Sequence, residues 1–403
     1  MPGMGRSGGG GEHRAEGTGS AGADPVTSSW SDSGLEELTG RDDGPGLGPP
    51  PGLEPGVRSL AAAIARDSTR LGRLVEVDPL GIMVARARLG GLSRHGAVSC
   101  GGSTRLLPAA DGWLAVSLAR PSDWELVAAW LGMPAPVVPG DWTRVTVAVG
   151  SSGLDELMTR SSGLGLPVAR VGERQSGSPR PGGADLAVEG IAGVPDRLLA
   201  ASRPIGSMAD VVVADLSALW AGPLVGALLV RAGARVVKFE SSSRPDGARR
   251  GSPAHFASLN AGKYQVADDL ATPTGRATLR QIVDEADVVI TSARPRAVEQ
   301  LGLDPVASVR HGRPRVWLSI TGYGSGPGSA DRVAFGDDAA AAGGLIVGDD
   351  RGPCFCADAV ADPVTGLAAT AAVLDALVRG GDHLLDASMS DVAGSLVDRA
   401  GAG

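Results

Sequence analysis

The sequence predicts an α/β protein in which a doubly wound, parallel, Rossmann-like sheet is joined to a smaller α+β domain. Three observations carry this. After residue 207, short β-branched apolar runs alternate with helical patterns at the spacing of βαβ units. Of the 403 residues, 43% are hydrophobic, enough to bury a substantial core. The 61 glycines and 28 prolines include clusters that punctuate the chain into more than one unit.

Taken in order, residues 1–27 are Gly/Ser-rich, polar and aperiodic, the composition of a disordered tail, and the Pro/Gly-rich stretch 44–56 is a second break. Residues 1–56 therefore read as tail and linker. A compact small domain is expected over 57–172, with a helical pattern at Leu60–Leu71, a strand at Trp113–Leu118 and a helix at Asp123–Leu131 entered through Pro121-Ser122. Residues 173–206, rich in Gly, Pro and Ser at their start, read as a linker. The region 207–403 is the Rossmann-like domain. Strands are expected at Val211–Asp215, Arg235–Glu240, Asp287–Thr291, Arg315–Ile320 and Leu384–Ala387. Helices are expected at Pro223–Ala232, Gly275–Glu285, Arg296–Gln300, Ala339–Leu345 and Thr365–Val378, and Gly233 closes the first of them. An internal echo links Gly34-Leu35 through Gly40 and Asp43-Gly44-Pro45 to Gly344-Leu345 through Gly348, Asp350, Gly352 and Pro353. It is either chance in a biased composition or the tail of a first, truncated copy of the fold.

The formal net charge of −8 argues against a nucleic-acid or anionic-membrane surface. Only Lys238 and Lys263 are lysines; the other basic residues are arginines, a bias that a G+C-rich genome produces without functional demand. Three cysteines, Cys100, Cys354 and Cys356, form no disulfide framework and suit a reducing compartment. Cys354 and Cys356 have no second Cys/His pair at ligand spacing, so no metal is expected. The longest apolar run, near Ala221–Val230, is too short to span a bilayer, and the N-terminus has no signal-peptide pattern; the expected location is cytoplasmic.

Chemistry has three places to sit. The first βα turn, Asp215 to Pro223, opens a helix whose N–H groups suit an anion, but no G-x-G-x-x-G fingerprint accompanies it, which weakens a nicotinamide or flavin reading. Lys238, Arg244, Arg249, Arg250 and Lys263 gather near that turn, as a phosphorylated nucleotide requires or as ordinary surface charge would. Asp362, in Asp358-Ala-Val-Ala-Asp362-Pro-Val-Thr-Gly366, stands before a helix. It is either an N-cap or, flanked by small residues, a nucleophile toward a thioester. No G-x-S-x-G elbow or Cys/His/Asn set is evident.

Several segments, in order and spacing, resemble the class III coenzyme A transferases, the family of formyl-CoA:oxalate and carnitine CoA-transferases and of α-methylacyl-CoA racemases. They are Val213 to Ser217 with Ala221-Gly-Pro, Gly233 to Glu240, Pro245 to Arg249, Leu259 to Lys263, Ala286 to Ile290, Leu301-Gly-Leu303, Ser319 to Gly324, and Ala361 to Leu367. The resemblance covers about 207–395. The N-terminal third is similar to the family's C-terminal half, through Ala109 to Val116 and Gly101-Gly102, so the halves stand in reversed order.

The resemblance implies an interlocked homodimer acting on an acyl-CoA and a small carboxylic acid, with CoA as substrate and no permanently bound cofactor. It places Asp362 on the catalytic aspartate, which attacks the thioester to give a mixed anhydride and passes through an aspartyl-CoA thioester. It places the Gly101 and Gly102 N–H groups over the oxyanion. Trp220 and Ala221 fall on the CoA-lining turn, with Trp220 in place of a glutamine. Ser241 replaces a nucleotide-binding arginine, for which Arg244 or Arg249 are substitutes, and Lys263 belongs to the same cationic set. Asp269 and Leu270 match the adenine edge; Ser292, Ala293 and Arg294 match a strand-end loop, and Gln300 stands for another arginine. Gly336 aligns with a second acidic residue, leaving that role to Asp337 or to none. Phe335 holds the position of the racemase histidine and cannot carry a proton.

The reading that follows is a CoA-transferase using Asp362. Its alternatives are an acyl-CoA racemase or isomerase on the same fold, and a CoA-binding partner subunit without turnover.

Overall fold

The structure, a computed structural model, describes residues 29–174, 191–311 and 313–397. The expected tail at 1–27 and most of the Gly/Pro/Ser-rich start of the linker lie outside the described residues.

The described strands are β1 (Thr104–Ala109), β2 (Gly112–Ser117), β3 (Val168–Arg170), β4 (Asp196–Ala200), β5 (Val212–Leu216), β6 (Arg235–Ser241), β7 (Tyr264–Asp268), β8 (Val288–Thr291), β9 (Val316–Thr321), β10 (Ile346–Asp349), β11 (Gly352–Phe355) and β12 (Asp382–Ser388). Seven of them form the main sheet in the order β4-β12-β9-β8-β5-β6-β7. All pairings are parallel except that of β4 with β12. From β7 to β12 this is the strand order of dinucleotide-binding folds. Its direction of winding reverses between β5 and β8, and ligands of such sheets bind outside the carboxyl ends of strands at that point.

The helices are α1 (Leu53–Arg70), α2 (Pro79–Gly90), α3 (Pro121–Leu131), α4 (Trp142–Gly150), α5 (Leu154–Leu164), α6 (Ala221–Ala232), α7 (Ala248–Gly251), α8 (Pro253–Asn260), α9 (Pro273–Glu285), α10 (Pro295–Gln300), α11 (Pro305–Arg310), α12 (Gly336–Gly343), α13 (Ala361–Arg379) and α14 (Met389–Ser395). Because the parallel strands are buried on both faces, their side chains feed two cores. Val213, Ile290 and Leu318 pack with α6 and α13 through Val225, Leu229, Leu367 and Val373. Ala214, Val289 and Trp317 pack with α9, α10 and α11 through Leu279, Val283, Val298 and Val309. The nineteen-residue α13 is long and apolar enough to cross a membrane, beyond the run expected at 221–230, yet most of it is buried inside this core.

The expected strands and helices after residue 207 are present with ends shifted by a few residues. Outside the main sheet β1, β3, β10 and β11 were not expected, and within it two strands were not. The edge strand β7 has a largely exposed, polar sequence with no apolar alternation, and β4 lies inside what reads as a linker. An edge strand needs only one partner and little apolar surface, so composition does not reveal it.

The boundary expected at residue 57 is corrected. Residues 29–56 carry a 3-10 helix at Leu35–Leu38 and bury Trp30, Leu35, Leu38 and Leu53. Val57, Leu60 and Ile64 of α1, spaced for one helical face, join the core of the large sheet together with Leu80, Met83 and Val84 of α2. The small unit is therefore confined to the antiparallel β1-β2-β3 sheet and α3–α5. Its own core holds Leu114, Val116, Trp124, Trp130, Val145 and Leu157.

Candidate active site

Asp362 occupies the second position of α13; the N-cap is Val360, and no side chain caps this helix. The aspartate is thus not the N-cap that its sequence position allows. It is half-buried, and its carboxylate accepts a backbone hydrogen bond from Ala221 at the start of α6. On its other side lies the backbone of Gly336, the first residue of α12. A Cβ at Gly336 would stand 2.3 Å from Asp362 Oδ2 and 2.5 Å from the Ala359 carbonyl oxygen. The glycine that replaces the expected second acid therefore makes the seat for the first.

Three helix N-termini, those of α6, α12 and α13, meet at this carboxylate, and their partial positive charge favours an anion. The approach is made through unusual backbone. Among the described residues, the non-glycine residues with positive φ are Leu219 (69°), Ala357 (57°) and Ala359 (45°), all flanking the site. Such conformations cost of order 1–3 kcal/mol each for residues with a Cβ and persist only where surrounding contacts impose them.

Around Asp362 the chain buries a cluster of charge. Asp337 accepts the Ala359 N–H at 3.0 Å and a hydrogen bond from the Ser99 side chain. Asp358, fully buried, takes both arms of the Arg86 guanidinium, one through Nε at 2.8 Å. Arg86 lies 5.5 Å from the Trp220 ring centroid, and Trp220 meets His255 edge-on at 4.8 Å. Cys100 Sγ approaches the Ala357 carbonyl at 3.5 Å. One cation thus faces three carboxylates. Burial raises Asp362 to about 7, with Arg86 opposing the shift and Asp337 adding to it. Burial and Asp358 raise Asp337 to about 6, against Arg86. Burial, then Arg86, lower His255 to about 4, so this imidazole is neutral at pH 7. Asp338, whose Oδ1 accepts from Ser117 Oγ at 2.7 Å and the Phe335 N–H at 2.9 Å, is raised by burial to about 7. It ties α12 to β2 of the small unit.

The structure brings many of the sequence-derived residues to one edge of the sheet. Ala221 hydrogen-bonds Asp362, and Trp220 lies against Arg86 beside it. Ser241 ends β6 and Arg244 follows it, Asp269 and Leu270 follow β7, and Ser292, Ala293 and Arg294 follow β8, all at the carboxyl ends. Ser292 Oγ accepts the Ala218 N–H at 2.9 Å across the point of reversal, and Ala293 opens on a cavity of about 700 Å³ that Trp317 and Asp386 also line.

Four residues are placed differently from expectation. Lys263 is no ligand-facing cation: its Nζ is buried on Asp215 Oδ2 (2.8 Å), the Pro223 carbonyl (2.8 Å) and Asn260 Oδ1 (3.0 Å). Burial pushes Asp215 up, but Lys263 and Lys238 hold it below the usual carboxylate range. Arg249 is committed to Glu240 at 2.8 Å and stacks on Phe256 at 4.2 Å, which leaves the exposed Arg244 as the free substitute. Gln300 lies at the far end of α10, exposed and away from the strand-end loop. Gly102 donates its N–H to the Ser99 carbonyl at 2.8 Å, so of the glycine pair only Gly101, beside Arg86 Nη2, is set toward the cluster. Sequence reasoning missed Arg86, Ser99 and His255. Nothing in their local sequence separates them from other residues of their type, since their roles arise from contacts with other elements, Arg86 with Asp358, Ser99 with Asp337 and His255 with Trp220.

Residues 208–400 match the model of CoA-transferase family III. The chain is 32% identical over 192 residues to a succinyl-CoA–D-citramalate CoA-transferase of Chloroflexus aurantiacus, covering 45% of this chain and 46% of that protein. It is 30% identical over 212 residues to a succinate–glutarate CoA-transferase of Agrobacterium fabrum, covering 47% and 52%. It is 31% identical over 181 residues to a formyl-CoA:oxalate CoA-transferase of Streptomyces avermitilis, covering 42% and 44%. The chain spans about half the length of these relatives.

Proposed function

We propose that the protein transfers coenzyme A between an acyl-CoA thioester and a carboxylic acid, with Asp362 as the covalent nucleophile. The observation that carries this is the placement of the Asp362 carboxylate, half-buried at three helix N-termini and at the carboxyl edge of a Rossmann-like sheet. The relatives' names supply the substrate class, with short dicarboxylates and oxalate as the first acids to try.

In the first step a carboxylate oxygen of Asp362 attacks the thioester carbonyl; the C–S bond breaks and CoA leaves as thiolate, giving an acyl-aspartyl anhydride. The thiolate then attacks the Asp362 carbonyl carbon and expels the donor acid, leaving an aspartyl-CoA thioester. The acceptor carboxylate displaces CoA thiolate from that thioester to form a second anhydride. Attack of the thiolate on the acceptor's carbonyl carbon releases the new acyl-CoA and free Asp362. The Gly101 N–H is assigned to the developing oxyanion. Trp220, Ala221, Ser241, Arg244, Asp269, Leu270 and the Ser292–Arg294 loop are assigned to CoA.

A homodimer and a cytoplasmic, reducing setting belong to the same proposal; light scattering and cell fractionation test them. The N-terminal third as a displaced C-terminal half of the family also belongs to it. For the activity itself, Asp362→Asn is the variant of choice, being nearly isosteric. Loss of CoA exchange between succinyl-CoA and glutarate, oxalate or citramalate with an unchanged melting temperature supports the proposal. Retention of exchange overturns it.

A further inference from the structure

The internal echo acquires a spatial meaning. Placed at a constant offset of 308 residues, the two segments run without a gap from residue 40 to residue 78: Gly40 with Gly348, Gly44-Pro45 with Gly352-Pro353, Pro55 with Pro363, Gly72 with Gly380, and Asp78 with Asp386. The helices keep the same step, while the residues opposite β10, β11 and β12 form no strand. Helix α1 begins at Leu53 and α13 at Ala361, and both are followed by a glycine of positive φ, Gly72 at 96° and Gly380 at 71°. The two helices pack against each other in one core.

Equivalent positions also touch. Arg41 donates to Asp349, its counterpart, through Nε at 2.8 Å, and Arg351 donates through both terminal nitrogens at 2.7 Å to Asp43, its counterpart; each pair is 308 residues apart. Contact between a residue and its own equivalent is what happens beside a two-fold axis. In two identical copies such a contact sets like charge on like charge. In one chain the copies are free to diverge, and here they read Arg-Asp-Asp and Asp-Asp-Arg, opposite at both touching positions.

We infer that residues 40–78 are a second copy of residues 348–386, folded onto them across a pseudo-two-fold axis as a dimer contact contained in one chain, and that only one of the two copies keeps a site. The position equivalent to Asp362 is Glu54. It forms a same-helix ion pair with Arg58 at 2.6 Å, and among the described residues every strand of the parallel sheet comes from residues 196–388, leaving this copy none of its own. The stretch just after the first copy, Arg86 and Ser99 to Gly101, instead forms the wall that faces Asp362. The one-site part rests on the CoA-transfer proposal; the paired-copy part does not.

Two measurements on the full chain separate them. In the first, Arg41→Asp with Asp43→Arg makes the first copy read like the second and sets like charges together. Its melting temperature is expected to fall by several degrees, and adding Asp349→Arg with Arg351→Asp to restore it. A one-sided exchange without effect, or a four-residue exchange that falls as far, overturns the pairing. In the second, peptides are mapped after incubation with succinyl-CoA. One CoA thioester per chain, on the Asp362 peptide, with Glu54→Gln leaving exchange unchanged, supports a single site. A thioester on the Glu54 peptide overturns it. No thioester on either peptide rejects the transfer mechanism, and with it the single site, while leaving the charge-exchange result to decide the pairing.

Discussion

Replacing Gly336 by alanine is a small change with a large expected consequence. The added Cβ would lie 2.3 Å from Asp362 Oδ2, 2.5 Å from the Ala359 carbonyl oxygen and 2.8 Å from the Ala359 Cβ. All three are inside the distance that real side chains keep, and two of the atoms are backbone or the nucleophile itself. Ala359 cannot retreat freely, because it holds a left-handed backbone of φ 45° and donates its N–H to Asp337. The strain therefore falls on Asp362. Overpacking of this kind costs about 1–3 kcal/mol of stability. A displacement of the reacting carboxylate approaching ~1 Å costs on the order of 100-fold in rate. The assay is CoA exchange under saturating succinyl-CoA, with thermal denaturation alongside. The expected outcome is a fall in kcat of about two orders of magnitude in a protein that still folds. An alanine variant with wild-type kcat would refute the claim that glycine at 336 seats the nucleophile.

Other expectations follow from the same charges. In the proposed mechanism Asp362 attacks in its ionised form, and it is raised to about 7, so kcat/KM should rise with pH through about 7, and Asp337→Asn, by removing a neighbouring negative charge, should move that limb to lower pH. Arg86→Met takes the cation from three carboxylates; it should move the limb to higher pH and destabilise the fold by about 3–5 kcal/mol, the usual cost of breaking a buried pair. Asp338 has a folded value near 7 against an ordinary 3.8, so the native state holds its proton more tightly than the unfolded chain, and stability declines as pH rises from about 4 through 7. Asp338→Asn should thus stabilise by about 2–4 kcal/mol at pH 8 and leave denaturant midpoints unchanged at pH 4. Lys263→Met strands Asp215 in the core and should cost about 3–5 kcal/mol by chemical denaturation. Any folded fraction should keep its KM for acyl-CoA, because this ammonium does not face the ligand edge.

What the sequence discloses here follows its periodicities. Runs such as Val212–Leu216 and Val288–Thr291 are buried on both faces and must be apolar, so they announce themselves; Tyr264–Asp268 is an exposed edge and does not. The Asp362 segment is legible because small residues crowd a carboxylate at a helix start. That it is not the cap, and sits between Ala221 and Gly336, is not legible, since those two approach from other elements. The lysines mislead for a physical reason. Both are drawn inward to buried aspartates, with Lys263 on Asp215 and Lys238 within 3.5 Å of Asp246, where composition suggests surface cations. Residues 29–56 mislead for the opposite reason: their Gly and Pro content hides four buried hydrophobic anchors.

The covalent role of Asp362 is tested most directly by mass spectrometry of the protein quenched during turnover with succinyl-CoA. The account requires a CoA-sized increment on the peptide that contains this aspartate, discharged by added glutarate or oxalate and absent from Asp362→Asn. Transfer that proceeds with no such increment, or with one on another side chain, contradicts it.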